Sequence, residues 1–204
     1  MKKRWLLALV FTYLLFIPNL VFAVDFDILS YQGDLNIHAD NTAIFKETIT
    51  YRFGDDYNGQ LVGLGKAGKM PEGFDIDPDP TVQVSKNGRI VQNASFYTME
   101  EEDGYKVKIY NAGYAGDTVR VTVTWKLTNL LFLYKDIAEL NWQPLTDSTG
   151  DIKEIEFKVS SDTSAEKLYF HAGQLLRDSS VEKVNNLYHV KMKDLPRKRQ
   201  IELH

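Results

Sequence analysis

Residues 118–127, TVRVTVTWKL, decide the fold class of this chain. The valines and Trp125 fall on one side of an extended chain, and the threonines and Arg120 fall on the other. Alternation of β-branched and polar side chains with a period of two is typical of a half-buried β-strand. The stretch therefore predicts a long central strand.

The same alternation recurs on both sides of this stretch. Residues 44–53, IFKETITYRF, form a second long run of β-branched and aromatic side chains. Asn87-Gly88 separates two short runs and favours the type I′ turn of a hairpin, because both residues accept positive φ angles. Further runs predict strands at 26–28, 35–37, 81–86, 89–92, 95–98, 105–110, 139–144, 152–159, 167–170, 188–192 and 200–204.

These short strands and their Gly, Asn and Asp turns predict the architecture. We expect an all-β fold, a mostly antiparallel β-sandwich of immunoglobulin-like type. A single helical turn is expected at residues 130–137. The glycines among residues 59–73 predict a flexible loop that is long enough to be functional.

The first 23 residues have the layout of a secretory signal peptide. Basic residues at 2–4 precede an apolar run at 5–17, and Val21-Phe22-Ala23 places small residues where a signal peptidase cleaves. Cleavage after Ala23 leaves residues 24–204 as one exported domain. The apolar run is shorter than the roughly 20 residues that span a bilayer. An uncleaved N-terminal anchor is the alternative.

The composition limits the classes of function. With 24 basic and 28 acidic side chains the net charge is −4, which offers no positive surface for nucleic acid. The chain has no cysteine, which excludes disulfides, thiolate metal sites, cysteine nucleophiles and a lipid-modified cysteine. Exported proteins of this size without cysteine are typical of Gram-positive bacteria, and we expect a bacterial source.

Five stretches resemble a known family in their order and spacing: residues 44–53, Tyr57-Asn58-Gly59, 103–109, 116–127 and 138–143. They resemble the N-terminal ectodomain of a family of predicted bacterial membrane proteins of unknown function. In that family a signal peptide and a β ectodomain precede transmembrane helices. The resemblance covers most of residues 25–204 and implies a membrane anchor beyond residue 204, but no activity.

Two details qualify the resemblance. The sequence ends within a strand pattern at residues 200–204, as we expect for the N-terminal part of a longer protein. At 60–65 the sequence QLVGLG stands where that family usually carries an arginine and a short Ile-Pro segment. No role of that arginine can therefore be carried over to this chain.

The segment DIDPDP at residues 75–80 is the strongest candidate for a metal site. Asp75, Asp77 and Asp79 alternate, and three carboxylates could surround a hard cation such as calcium. The segment lacks the glycine and the glutamate of an EF-hand loop, and its prolines favour an extended, solvated strand edge. We therefore expect a plain acidic loop and no metal, with calcium as the weaker alternative.

Signals for catalysis are sparse. No Gly-x-Ser-x-Gly, Ser-x-x-Lys or His-Glu-x-x-His pattern is present, and the four acids at residues 100–103 are expected to be a solvated hairpin tip. A hydrolase of unrecognised type remains an alternative. It would place two of Asp75, Asp77 and Glu139 about 5–10 Å apart in one pocket.

The remaining candidates are aromatic. The side chains of Tyr97, Tyr105, Tyr110, Tyr114 and Trp142 could form a platform for sugars or peptides, although most are expected in the core. We predict a non-catalytic ectodomain without a cofactor that contacts another surface protein or a cell-wall polymer through strand edges or residues 54–80. A carbohydrate- or calcium-binding module is the alternative.

Overall fold

A computed structural model describes residues 24–66, 69–102, 104–146, 148–172 and 180–204. The signal peptide predicted at residues 1–23 lies outside these described residues. Within the described ranges, no helix has the length and apolar character needed to cross a membrane.

The described residues form seventeen strands. They are β1 (Phe26–Ile37), β2 (Thr42–Phe53), β3 (Tyr57–Gly65), β4 (Asp75–Ile76), β5 (Thr81–Lys86), β6 (Arg89–Ile90), β7 (Ser95–Glu101), β8 (Gly104–Gly113), β9 (Thr118–Thr128), β10 (Leu131–Leu133), β11 (Ala138–Leu140), β12 (Trp142–Leu145), β13 (Ile152–Ser161), β14 (Phe170–Ala172), β15 (Ser180–Val184), β16 (Leu187–Leu195) and β17 (Ile201–Leu203).

These strands form one large sheet and three small ones. The large sheet has nine strands in the order β15-β16-β13-β1-β2-β9-β5-β6, with β4 also paired to β9. The small sheets are β3-β8-β7, β12-β17-β14 and the ribbon β10-β11. Only β1 and β13 pair in parallel among the described strands. The all-β, mostly antiparallel prediction is confirmed, and the immunoglobulin-like type stays a prediction.

The alternation of the central strands gives the large sheet two different faces. In the register of β2 with β9, Phe45 lies opposite Trp125, and both side chains are buried on the inner face. The outer face is polar: the hydroxyls of Thr48 and Thr122 are hydrogen-bonded at 3.0 Å. A sheet with one apolar and one polar face must cover the apolar face with another layer.

The small sheets provide that layer. The Trp142 ring on β12 meets Phe45 edge-on, with ring centroids 4.9 Å apart. The Tyr57 ring at the start of β3 stacks on Phe53 at 3.7 Å. Both contacts join the inner face of the large sheet to a small sheet, so the main core lies between the two layers.

The predicted turns explain how the hairpins close. Asn87 and Gly88 have φ angles of 52° and 77°, as a type I′ turn requires, and they join β5 to β6. Asn185, with φ 55°, follows β15 at the turn into β16. The antiparallel pair β7-β8 confirms the hairpin predicted around Gly104.

Two local predictions are wrong. Much of the glycine-rich stretch is strand β3 and not a flexible loop, because Gln60, Val62 and Leu64 alternate with its glycines and are buried. Residues 130–137 contain no helical turn; residues 131–133 form β10, which pairs with β11.

Gly59 and Gly63 on β3 provide a matched pair for mutation. A Cβ at Gly59 would overlap the carbonyl oxygen of Ile109, a backbone atom that cannot move without shifting β8. At Gly63 the nearest atom would be the flexible Lys106 Cγ at 3.2 Å. We expect Gly59→Ala to destabilise the domain by about 2 kcal/mol and Gly63→Ala by less than about 0.5 kcal/mol, measured by urea unfolding. Equal losses would contradict the described pairing of β3 with β8.

Candidate functional site

Two of the three aspartates predicted as weak metal ligands, Asp75 and Asp77, lie beside different lysines. Lys66 donates a hydrogen bond to Asp75 at 2.7 Å, which holds the pKa of that exposed carboxyl below its usual value. One oxygen of Asp77 accepts the N–H of Asp79 at 3.0 Å, and Lys126 lies 3.8 Å from the other. In the described ranges, no three His, Asp or Glu side chains are grouped to hold a metal ion.

The carboxylates of the hydrolase alternative do not share a described pocket. Asp75 lies on β4 beside β9, whereas Glu139 lies on the ribbon strand β11 opposite Phe132. Neither of the two cavities described below is lined by Asp75, Asp77 or Glu139.

The larger of these two cavities lies between the large sheet and the sheet β3-β8-β7. Its volume is about 570 Å³, within the usual range of about 300–1,000 Å³ for small-molecule sites. Tyr31, Glu47 and Tyr51 line it from the inner face of β1 and β2. Val62 and Leu64 line it from β3. We call this space the Glu47 cavity.

Glu47 is the charged group of the cavity, and it is almost completely buried, with 1% of its surface exposed. The Trp125 indole N–H donates to Oε1 at 2.7 Å, and the Tyr31 hydroxyl donates to Oε2 at 3.0 Å. Both donors are neutral. Among the described residues, Glu47 therefore has hydrogen bonds but no positively charged partner.

This environment changes the protonation of Glu47. Burial raises the pKa of Glu47 to about 7, although the hydrogen bonds from Trp125 and Tyr31 act in the opposite direction. Burial and the nearby Glu47 charge also raise the pKa values of Tyr31 and Tyr51 above that of a free tyrosine. Near neutral pH, Glu47 therefore exists in both its protonated and charged forms.

The opening of the cavity carries further charges. Glu101 and Glu102 are exposed there, and Tyr105 and Lys106 of β8 line the same side. Lys106 lies 3.4 Å from Glu101, so its charge is already paired. The acids predicted as a solvated tip thus include two that border a cavity; Asp103 lies outside the described residues.

Sequence reasoning missed Glu47, although a signal was present. In residues 44–53 the inward positions are occupied by Phe45, Glu47, Ile49, Tyr51 and Phe53. A single acid in an otherwise apolar row of a strand is a candidate for a buried polar group. What the local pattern could not show is the cavity, because its other wall comes from β3 and β8.

The predicted aromatic candidates divide between core and surface. Trp142 is completely buried, and Tyr105 is half-buried. Tyr97 and Tyr110 are exposed on neighbouring strands with ring centroids 6.0 Å apart, whereas the exposed Tyr114 follows β8 in a turn. Trp142 therefore lies in the core as expected, whereas a platform for sugars or peptides stays a prediction.

A flat exposed face surrounds the two tyrosines. Leu61 of β3 and Tyr97 of β7 each lie opposite Lys108 of β8, and Tyr110 lies two residues further along β8. Lys108 Nζ lies 5.3 Å from the centre of the Tyr110 ring, within cation–π distance. We call these four residues the tyrosine platform.

A second cavity, about 510 Å³, is a groove on the polar outer face of the large sheet. At its centre Glu156 accepts a hydrogen bond from the Gln32 amide at 3.2 Å and lies 2.6 Å from His189 Nε2. Arg120 donates to the other side of Gln32 at 2.9 Å. These groups satisfy one another, and the charged side chains of Glu154, Lys191, Lys193 and Asp194 also line the groove.

Fold and cavity together define an all-β domain with a ligand-sized space between two sheets. Residues 27–204 match the sequence profile of the family described as predicted membrane protein (DUF2207) N-terminal domain. The chain belongs to this family of unknown function, which confirms the resemblance seen in the sequence. No curated protein matches the chain significantly in sequence.

Solved structures are similar in fold alone. A proposed protease from Parabacteroides distasonis is 12% identical, with a TM-score of 0.53, and the match covers 87% of this chain and 40% of that protein. Yeast LTA4 hydrolase in complex with bestatin is 12% identical, with a TM-score of 0.54, and the match covers 88% of this chain and 29% of the hydrolase. This chain thus spans less than half of either protein.

Proposed function

We propose that this chain is the exported, non-catalytic ectodomain of a membrane protein and that it binds a cell-wall polysaccharide on its tyrosine platform. The anchor lies in a segment outside residues 24–204, and the domain lies on the outer side of the cell membrane. The leader-like residues 1–23 and membership of a family of predicted membrane proteins support this placement.

The tyrosine platform is the observation that carries the proposal. Tyr97 and Tyr110 are 42% and 47% exposed, and rigid aromatic rings provide large contact areas at a low cost in conformational entropy. Gly59 and Gly63 flank Leu61 on β3 and leave that part of the face flat. A flat face with adjacent aromatic rings is suited to stacking against sugar rings, and it does not enclose a substrate as a reaction centre does.

The placement of the carboxylates favours binding over catalysis. A general acid–base mechanism needs two convergent polar groups within reach of one substrate. Asp75, Asp77 and Glu139 do not line a common described cavity, and Glu47 is bonded to Trp125 and Tyr31. We therefore propose a recognition domain and not a hydrolase.

For the fold we retain the narrower proposal of an immunoglobulin-like sandwich. The antiparallel strands β1, β2 and β9 and the apolar layer between the sheets support it. The parallel pairing of β1 with β13 departs from a purely antiparallel sandwich. Superposition of an experimental structure on immunoglobulin domains tests this proposal.

Removing both rings of the tyrosine platform tests the function. We expect the double variant Tyr97→Ala, Tyr110→Ala to lose at least tenfold of its affinity for purified insoluble Gram-positive cell walls in a sedimentation assay, because the loss of aromatic stacking removes the central contacts. The matched control is Tyr114→Ala with Tyr169→Ala, which removes two exposed tyrosines elsewhere on the surface.

The outcomes separate the alternatives. Retained wall binding by the platform variant, or equal losses in both double variants, would exclude the platform as the contact. Absence of wall binding by the unaltered protein would exclude the polysaccharide as ligand, and pull-down with membrane proteins would then test the protein partner. Unfolding curves of all variants show whether a loss comes from binding or from stability.

A further inference from the structure

The Glu47 cavity has a negative floor and walls of aromatic and aliphatic side chains. Glu47 lines it from the inner face of β2 and accepts the Tyr31 hydroxyl, and Tyr51, Val62 and Leu64 also line it. We propose that this cavity binds a small organic cation, an apolar body with a protonated amine whose charge pairs with Glu47. The cavity shares Leu61 with the tyrosine platform but is lined by neither Tyr97 nor Tyr110, and its binding does not depend on those two rings.

The charge balance of the cavity favours a cation. The titratable groups on its described lining are Tyr31, Glu47 and Tyr51 of the large sheet, Glu101 at the end of β7 with the adjacent Glu102, and Tyr105 and Lys106 of β8. Lys106 is the only cation among them, and it is paired with Glu101 at 3.4 Å. Burying a carboxylate without a positive partner is costly, so a ligand that brings that charge gains binding energy.

Glu47 retains the capacity to bind an amine. A carboxylate accepts about four hydrogen bonds, and Trp125 and Tyr31 supply two, one at each oxygen. The two remaining sites can accept two of the three N–H groups of a primary ammonium. The Tyr31 and Tyr51 rings beside Glu47 also suit a cation, because aromatic faces attract positive charge.

Binding of an amine at Glu47 must be coupled to release of the proton from Glu47. The amine pairs with charged Glu47, but the raised pKa of about 7 keeps much of this group protonated in slightly acidic solution. The apparent Kd is the intrinsic value divided by the charged fraction of Glu47. Affinity should therefore rise about twenty-fivefold from pH 5.5 to pH 7.5 and then level off.

Calorimetric titration with three probes of similar shape tests the proposal: phenethylamine, 2-phenylethanol and 3-phenylpropionate. At pH 7.5 we expect the amine to bind at least tenfold more tightly than the neutral alcohol, and the anion to show no binding. The amine titration at pH 5.5, 6.5 and 7.5 measures the coupled proton. The proposal would be overturned by equal binding of all three probes or by an amine affinity that does not change with pH. It would also be overturned if no amine binding is detected up to about 10 mM, where even weak millimolar binding is measurable.

Two variants locate the binding. Glu47→Gln keeps the shape of the side chain and removes its charge, so amine binding should fall at least tenfold and lose its pH dependence. Glu139→Gln removes an exposed carboxylate on β11 and should bind the amine normally. The platform variant Tyr97→Ala, Tyr110→Ala should also bind it normally, so failure of wall binding and failure of amine binding are distinguishable. Unchanged amine binding by Glu47→Gln would contradict the assignment.

Discussion

Replacing Glu47 with glutamine is expected to stabilise the domain by on the order of 3 kcal/mol at pH 8 and by less than about 1 kcal/mol at pH 5. The folded-state pKa of about 7 lies above the unfolded value of 4.5. Between pH 4.5 and pH 7 the folded protein keeps Glu47 protonated, whereas the unfolded chain releases that proton. The stabilisation that this difference gives is therefore fully present below about pH 4.5. It falls as the pH rises and is lost above about pH 7.

Glutamine should fit the site and keep one hydrogen bond at each end of its amide. Its oxygen can accept the Trp125 N–H, and its amide can donate to the Tyr31 hydroxyl, whose own proton can rotate away. Urea unfolding at pH 5 and pH 8 measures the difference between variant and unaltered protein. Glu139→Gln, at an exposed site, is the control. Identical pH dependence in Glu47→Gln and the unaltered protein would contradict the buried, raised-pKa description of Glu47.

Truncation of Phe157 is expected to be the most damaging core change, with a loss of about 4 kcal/mol in the free energy of unfolding for Phe157→Ala. The ring is completely buried on β13 and lies 5.7 Å from Tyr31 and 5.4 Å from Phe170. It also fills the space over Gly33, where a Cβ could not fit. Domains are stable by only about 5–15 kcal/mol, so this loss is a large fraction of the total.

The measurement is urea unfolding at pH 7, with two comparison variants. Phe157→Leu fills part of the cavity and should lose roughly half as much. Tyr169→Ala removes an exposed aromatic side chain next to Phe170 and should change stability by less than about 0.5 kcal/mol. A loss below about 1 kcal/mol for Phe157→Ala would show that the ring is not enclosed as described.

The elements predicted best from sequence are those with strong local signals. Residues 118–127 lie within β9, because an extended strand is the arrangement that buries all the valines on one face and leaves the threonines on the other. The pair Asn87-Gly88 determines the type of its turn, because few residue pairs accept positive φ angles at both positions. The glycines of β3 wrongly predict a loop, because the usual association of glycine with loops outweighs the weaker alternation of Gln60, Val62 and Leu64.

The site depends on contacts that no local pattern contains. Glu47 acquires its properties from Tyr31 on β1, Trp125 on β9 and a wall contributed by β3 and β8. The tyrosine platform likewise requires the register that brings Tyr97 and Tyr110 together. Periodicity indicates which face of a strand is buried, but it does not indicate which strand lies opposite.

The parallel pairing of β1 with β13 has a consequence for biogenesis. It joins residues as distant along the chain as Ile28 and Ile152. Such non-local pairing slows folding, because a large loop must close before the contact forms. A nascent chain therefore presents β1 with one side unpaired until its distant partner has been synthesised, and unpaired strand edges promote misassociation. A chaperone that shields this edge would raise the yield of correctly assembled protein.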